Sequence, residues 1–417
     1  MGMPSGTPEA PQTGPTLHYS STRPQDARDI SESEVRNFSI ASGGLAYDFL
    51  LRFRLVRRHF PYMSRRILVL VILTWLPLLL LTLREGFAYG RLVKIPLLYD
   101  FALYGRFILA LPLLIVAEAI IDPGIRVAIS EFVESGIVPD AEIPKFERIL
   151  QRVKKLRDSA LPEIAFFVLA FFPTFFFQHE WTAGAVSSWH TTASGLTAAG
   201  WWFAVLSAPI LRFVIYRWTF RYFVWGLLLW RISRLRLVLV PTHPDHSAGL
   251  QFLSMSQKHF GILFCAFGCI FAGRVANSIV FEGVPLTSFK SLILGFIVLS
   301  VILGLLPLVL LVPRLKEVRK MGLLEYGRLA NQYSKLFDRK WVHRTEQAQE
   351  PMLGSGDIQS LADMGNSFGF VDSMRIAPIS KRLVFQLASQ AIVPLVPVIV
   401  LGTPTPELMQ AVMKMMI

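Results

Sequence analysis

The chain reads as an all-α, polytopic transmembrane helix bundle of about seven spans, with helical segments on the cytoplasmic side. Three observations predict it. Apolar residues make up 53% of the 417 and charged residues only 17%, where a soluble domain carries roughly a quarter charged. The apolar residues gather into runs of about 20, the length that crosses the hydrocarbon core of a bilayer as a helix. Lys and Arg, 42 in all, fall almost entirely into every second loop between those runs.

Residues 1–45 are rich in Pro, Ser, Thr and Gly and lack an apolar core, which predicts a disordered cytoplasmic tail rather than a cleaved signal. Residues 46–121 hold the first two spans, 67–83 and 101–121, behind a basic flank of Arg52, Arg54, Arg57, Arg58, Arg65 and Arg66. Residues 122–159 predict a cytoplasmic amphipathic segment, because Phe146, Ile149, Leu150 and Val153 recur at helical spacing. Residues 160–312 carry spans three to six, at 160–178, 200–216, 261–281 and 289–312. The stretch 219–240 is too short in apolar residues to cross and is flanked by Arg217, Arg221, Arg231, Arg234 and Arg236. It reads as an interfacial extension of the fourth helix. Residues 313–382 form a second cytoplasmic helical segment, with Asp357 as the expected N-cap of its later helix. Residues 383–417 supply the last span and a short tail.

With the N-terminus inside, the outer loops hold about four basic residues and the inner segments about 34. The positive-inside rule then places the N-terminus in the cytoplasm and the C-terminus outside. The net charge of +13 is explained the same way, by an anionic inner leaflet as partner and not by nucleic acid.

Within the spans, Pro77, Pro112, Pro173, Pro209, Pro307, Pro394 and Pro397 each remove a backbone donor and bend the helix. They predict bent helices around a cavity or gate. Gly261, Cys265, Cys269, Gly273 and Asn277 step through the fifth span every fourth residue. Such a stripe of small residues lets two backbones approach closely, within the bundle or in a helix–helix oligomer. Ser291, Gly295, Ser300 and Gly304 make the sixth span its expected partner. The two cysteines lie on adjacent turns and read as small packing residues, not a disulfide.

Ionisable residues inside a span are functional candidates by default. These are Arg106 and Glu118 in the second span, Glu163 at the start of the third, Arg212 in the fourth and Arg274 in the fifth. Glu118 and Glu163 are expected to pair with inner arginines, Arg106 and Arg212 to snorkel toward opposite surfaces, and Arg274 to be the deepest cation.

The most distinctive polar loop runs from Pro241 to Leu250. His243, Asp245 and His246, with His259 downstream, are candidate metal ligands by residue type. The competing reading is a turn in which Pro244 sets the backbone and Asp245 caps the helix into span five. His243-Pro244-Asp245 followed by Gly249-Leu250, with a later segment from Asp357 to Asn366 before the final span, resembles a group of uncharacterised bacterial inner-membrane proteins. The resemblance covers Pro241 to the C-terminus. It implies a bacterial inner-membrane location and a multi-pass fold, and no activity. Phosphate loops, Ser-His-Asp sets, His-Glu-x-x-His helices and calcium loops are absent from the sequence, and no cofactor is expected. The function expected from the sequence is transporter-like or channel-like. The alternatives are a membrane-embedded metal enzyme at the His243 loop, or a scaffold that binds a partner through its basic cytoplasmic segments.

Overall fold

The computed structural model describes residues 38–45, 63–90, 92–176, 187–192, 195–343 and 355–402. Those residues are helical apart from turns and one short ribbon, in which β1 (Thr191–Thr192) pairs antiparallel with β2 (Gly195–Leu196). Among the described residues, six helices are long and apolar enough to cross a membrane. They are α1 (Met63–Glu85), α2 (Phe101–Glu134), α5 (Ala198–Ile232), α6 (Phe252–Glu282), α7 (Leu286–Val309) and α10 (Lys381–Gly402). Between α2 and α5 lie the amphipathic α3 (Ile143–Arg157) and the apolar α4 (Ala160–Phe176). Between α7 and α10 lie α8 (Val312–Phe337) and α9 (Gly356–Asp372), packed on each other.

Burial separates a protein-packed centre from a lipid-like rim. The apolar window of α6 is 61% buried and that of α2 is 56% buried, whereas those of α1 and α7 are each only 22% buried. Leu292, Leu294, Leu299, Ile302 and Leu306 on α7 stand exposed. An apolar band of that extent is unstable in water and requires hydrocarbon around it. The chain is a multi-pass helical membrane protein.

Loops gather at two ends of the bundle. At one end the α1–α2 connection meets the segment before α5, with the Ile95 amide on the Ser187 carbonyl and the Ala198 amide on Glu85. At the other, residues 38–44 meet α2 and the end of α3, and residues 241–249 meet α8 and the stretch before α10. These are called below the Asp100 end and the Asp245 end. The helix α4 reaches from Glu163, beside Arg217 at the Asp245 end, to Thr174, whose hydroxyl donates to the Ala204 carbonyl on α5. Its described length is 17 residues, and residues 177–178 of the expected third span lie outside the described residues. Within the stretch 219–240, α5 continues unbroken to Ile232, an extension of the fourth helix, and residues 233–240 leave the helix. The 35 residues of α5 span about 52 Å at roughly 1.5 Å each, well beyond a hydrocarbon core of about 30 Å.

Four expectations need correction. Residues 1–37 of the expected disordered tail lie outside the described residues, but Phe38, Ser39, Ile40 and Ala41 are buried in the bundle. Asp122 draws them in, because its carboxylate accepts from the Ser39 hydroxyl and from the Ile40 and Ala41 amides. Asp357 is not the N-cap of α9. Ser355 holds that position, and Asp357 in the first turn accepts instead from Lys340 and Trp341. The small-residue stripe of α6 does not take α7 as its close partner. A Cβ on Gly273 would lie 2.6 Å from the Phe101 carbonyl oxygen on α2, and one on Gly261 would strike Gln390 on α10. Asn277 completes the α2 contact by accepting from the Phe101 amide at 2.9 Å. Gly295 on α7 faces open space, and Gly304 meets α6 through the Phe264 ring and the Gln257 amide group, not through the glycine stripe. The fourth correction, to the depths of Arg212 and Arg274, belongs to the site below.

Backbone contact at Gly273 leaves no room for a side chain. Gly273→Val is expected to destabilise the detergent-solubilised protein by about 1–3 kcal/mol, the range for overpacking a close interface. Gly295→Val on the open face of α7 should be close to neutral. Thermal unfolding of both variants checks the contrast.

Candidate functional site: a cationic recess and a buried ion centre

Charged residues inside the bundle sort into two centres. The first lies toward the Asp245 end. Glu118 on α2 accepts from Arg66 on α1 at 2.5 Å and from Arg221 on α5 at 2.8 Å. All three side chains are almost fully buried. Arg221 also donates to the Ala41 carbonyl, Arg157 donates to the Ser39 carbonyl, and Arg217 lies 3.3 Å from Glu163 on α4. The centre therefore ties α1, α2, α4, α5 and the segment 38–44 together. Glu118 and Glu163 pair with arginines of this end, as their positions in the sequence suggested. Every carboxylate here is engaged, so the centre is a clamp and offers no open coordination position.

The second centre is a recess of about 900 Å³ opening at the Asp100 end. Lys94, Asp100, Arg106, His190, Arg212, Arg274 and Glu282 supply its charged and titratable lining, over a wall that includes Phe107, Trp189, Phe203, Ile215 and Ile270. Two local distortions shape it. The residues Tyr104–Ala110 of α2 and Phe203–Ser207 of α5 are π-helical. Pro112 and Pro209 follow directly. Proline clashes with the carbonyl four residues back, which is Ile108 in one helix and Val205 in the other, and each lies inside its π segment. Widening the turn relieves that clash, and such segments recur at functional sites. The two distortions face each other. The Phe107 and Phe203 rings meet edge to face at 6.0 Å, and the Arg106 guanidinium lies 5.9 Å from the Phe203 centroid.

The arginines of the recess differ in support. Arg212 donates to the Ala170 carbonyl and to Thr174 on α4. It does not snorkel toward the near surface as expected, because α5 runs on for another 20 residues, leaving Arg212 near mid-helix. It forms the recess floor. Arg274 is not the deepest cation. It sits about 12 Å from the α6 terminus at Glu282 by helical rise, is exposed, and lies 3.6 Å from Glu282. Arg106 is half-buried, and the Phe203 ring is its sole short-range partner among the described residues. Asp100 is fully engaged, accepting from Trp189 at 2.8 Å, from Asn277 at 2.8 Å and from the Leu103 amide at 3.1 Å. Burial lowers the His190 imidazole below its ordinary value, and Asp100 opposes while Arg106 reinforces that shift. His190 is therefore neutral at pH 7 and adds a polar edge without charge. Sequence reasoning singled out the three arginines but missed Asp100, Trp189 and His190. Their signal was slight: polar residues in loops that the positive-inside rule leaves almost uncharged.

The residues of the His243 loop scatter. His243 lies 2.9 Å from Asp245, His246 contacts Ser373 and the Phe370 ring, and His259 packs on Gly124 with its Nδ1 against the Ser256 carbonyl. Asp245 accepts from the amides of Ser247, Gly249 and Gln251. Among the described residues no group of three His, Cys, Asp or Glu is arranged to hold a metal ion. The loop is a turn, as the competing reading held, but the N-cap of α6 is Gln251, and Asp245 binds amides of the turn ahead of the helix. It is wound tightly enough to put His246 and Ala248 at positive φ, a conformation unusual outside glycine, and Arg375 clasps its outer carbonyls. Burial alone would raise the Asp245 carboxyl, but the three amides and His243 win and hold it below the usual range. Comparison of the chain with protein-family models, with curated proteins and with solved structures found no match.

Glu118→Ala leaves two guanidinium groups buried without their counter-charge, and the expected cost is about 3–5 kcal/mol. A change in thermal unfolding equivalent to under 1 kcal/mol would show that the pairing does not hold the helices. Asp245→Ala should cost about 1–3 kcal/mol, since three amides lose their acceptor. Because the folded pKa is depressed, that contribution is complete above about pH 3.9, the ordinary value, and fades as pH falls through the lower folded value. Hydrogen exchange at the Ser247, Gly249 and Gln251 amides should accelerate over that acidic range in the wild-type protein and be fast already at neutral pH in the variant.

Proposed function

We propose that the protein is a transporter-like or channel-like carrier in a bacterial inner membrane, with the recess as one end of the solute path. The observation that supports this reading is the recess itself. Among the described residues it is lined from Lys94, Asp100 and Glu282 at the Asp100 end inward to Arg212, Ile215 and Ile270, and it is flanked by two π-helical turns. From Glu282 to Ile270 is about 18 Å of helical rise, more than half of a hydrocarbon core of about 30 Å. A wet, charged pocket at that depth serves little structural purpose, because packing alone would fill it with apolar side chains.

The orientation follows from charge. In this reading the Asp245 end, with its basic flank and the basic α8, faces the cytoplasm and the anionic leaflet, and the recess opens to the periplasm. Between the recess floor and the Asp245 end stands the paired Glu118 centre, which in this reading is the part that must open for a solute to pass.

Proteoliposomes containing the full chain should show solute flux that empty liposomes lack. In a Cys265→Ser, Cys269→Ser background, Ile270→Cys should react with a membrane-impermeant thiol reagent from the recess side, and the modification should block flux. An unreactive Ile270→Cys, or no flux over a broad panel of ions and small solutes, would count against the reading.

A further inference from the structure

We infer that the recess binds a small organic oxyanion, a carboxylate or phosphate ester carrying an apolar body, with Arg106 and Arg274 as its charge-bearing contacts and Arg212 at the floor. This inference rests on the transport reading only for what binding leads to; the site stands on its own geometry.

Charge comes first. Among the described residues, the three cations Lys94, Arg106 and Arg274 face the recess against the two carboxylates of Asp100 and Glu282, with Arg212 tied to α4 at the floor. Asp100 cannot turn to neutralise an arginine, because Trp189, Asn277 and the Leu103 amide fix both of its oxygens. Glu282 reaches Arg274 only at 3.6 Å. Excess cationic charge below the membrane surface is costly unless an anion or water relieves it. The ion centre at the other end shows how this chain treats charge that is purely structural: there each carboxylate is met by guanidinium groups or amides at hydrogen-bond distance. The recess departs from that pattern.

Arg106 points to the ligand type. Among the described residues its short-range contact is an aromatic face, which orients a guanidinium while leaving its N–H groups to donate. A guanidinium so held presents a planar fork that matches carboxylate or phosphate oxygens. Repulsion between like charges excludes metal cations and ammonium compounds from the same place.

The walls set the rest of the molecule. Phe107, Trp189, Phe203, Leu211, Ile215 and Ile270 line the recess between the cations, and its volume of about 900 Å³ falls within the range of ligand pockets of roughly 300–1,000 Å³. A bare inorganic ion would leave the half-buried faces of Ile215 and Ile270 wet. An anion with an aromatic or alkyl body would cover them. The same chemistry is offered by a free solute and by a lipid phosphate headgroup. The polar rim of Lys94, Thr191 and His190 lies at the Asp100 end and not in the apolar flank, which favours entry of a free solute.

The test is calorimetric titration of the full chain in an uncharged detergent at low ionic strength. Phenyl phosphate and benzoate are the solute probes, benzyl alcohol the uncharged control, and dihexanoyl phosphatidic acid the lipid arm. Saturable binding of phenyl phosphate, absence of benzyl alcohol binding, and at least a ten-fold loss in Arg106→Gln and in Arg274→Gln are expected. Arg106→Lys should retain part of the affinity. Arg274 is exposed and only loosely paired, so Arg274→Gln keeps the fold if Arg106→Gln does not, and thermal unfolding monitors both. No saturable binding, or equal binding by folded variants, overturns the inference. Binding of phosphatidic acid without phenyl phosphate overturns the free-solute assignment in favour of a lipid headgroup. Anion binding without anion flux in proteoliposomes removes the transport reading and leaves the site standing. Flux of a neutral or cationic solute without anion binding does the reverse.

Discussion

Glu118 is a carboxylate with no water to fall back on, and the guanidinium groups of Arg66 and Arg221 are what make its burial tolerable. Helices in hydrocarbon gain little from apolar contact with one another, since lipid tails are as apolar as leucine. Charge pairing and close backbone contact must therefore hold the bundle. The Glu118 centre supplies the first, drawing α1, α2 and α5 to one point, with Arg217 and Glu163 adding α4. The glycines of α6 supply the second, setting that helix against α2 and α10. The recess lies between the Asp100 end of α5 and the closely paired α2 and α6.

The recess thus opens beside the tight α2–α6 contact. Asn277 and Gly273 press α6 onto the start of α2, while the π-helical turns of α2 and α5 swing Arg106 and Phe203 into the gap. Asp100 is the hinge point of this arrangement. It caps α2 through the Leu103 amide and reaches both α6 and the Trp189 loop. A single carboxylate fixes the mouth from three directions, and its full engagement is what leaves the surrounding arginines in excess.

Much of this architecture is legible in the residues themselves. Apolar run length and the placement of Lys and Arg mark the helices and sort the loops onto two ends. Four-residue spacing of Gly and Cys marks the close-packing face of α6. Glu118 and Glu163 stand out because carboxylates in apolar runs require partners. What stays hidden is long-range pairing. The α6 face is visible, but whether α2 or α7 covers it depends on which helix brings a backbone rather than side chains to the contact. Arg212 looks near a surface only while α5 is taken to end near residue 216. The π-helical turns leave only prolines as a trace, and proline marks a bend without saying whether a turn widens. The Asp122 contacts that bury residues 38–41 join groups about 80 residues apart, beyond the reach of any local pattern.

One helix has a mechanical role that follows from its length. The guanidinium groups of Arg212, Arg217 and Arg221 are mounted on α5, the first on the recess floor and the others in the ion centre, about 8 and 14 Å further along by helical rise. An α-helix of that length turns or slides as a stiff spindle. Any pull on Arg212 is therefore felt at the Glu118 fastening through the same shaft, with no relay of side chains needed between the recess floor and the ion centre.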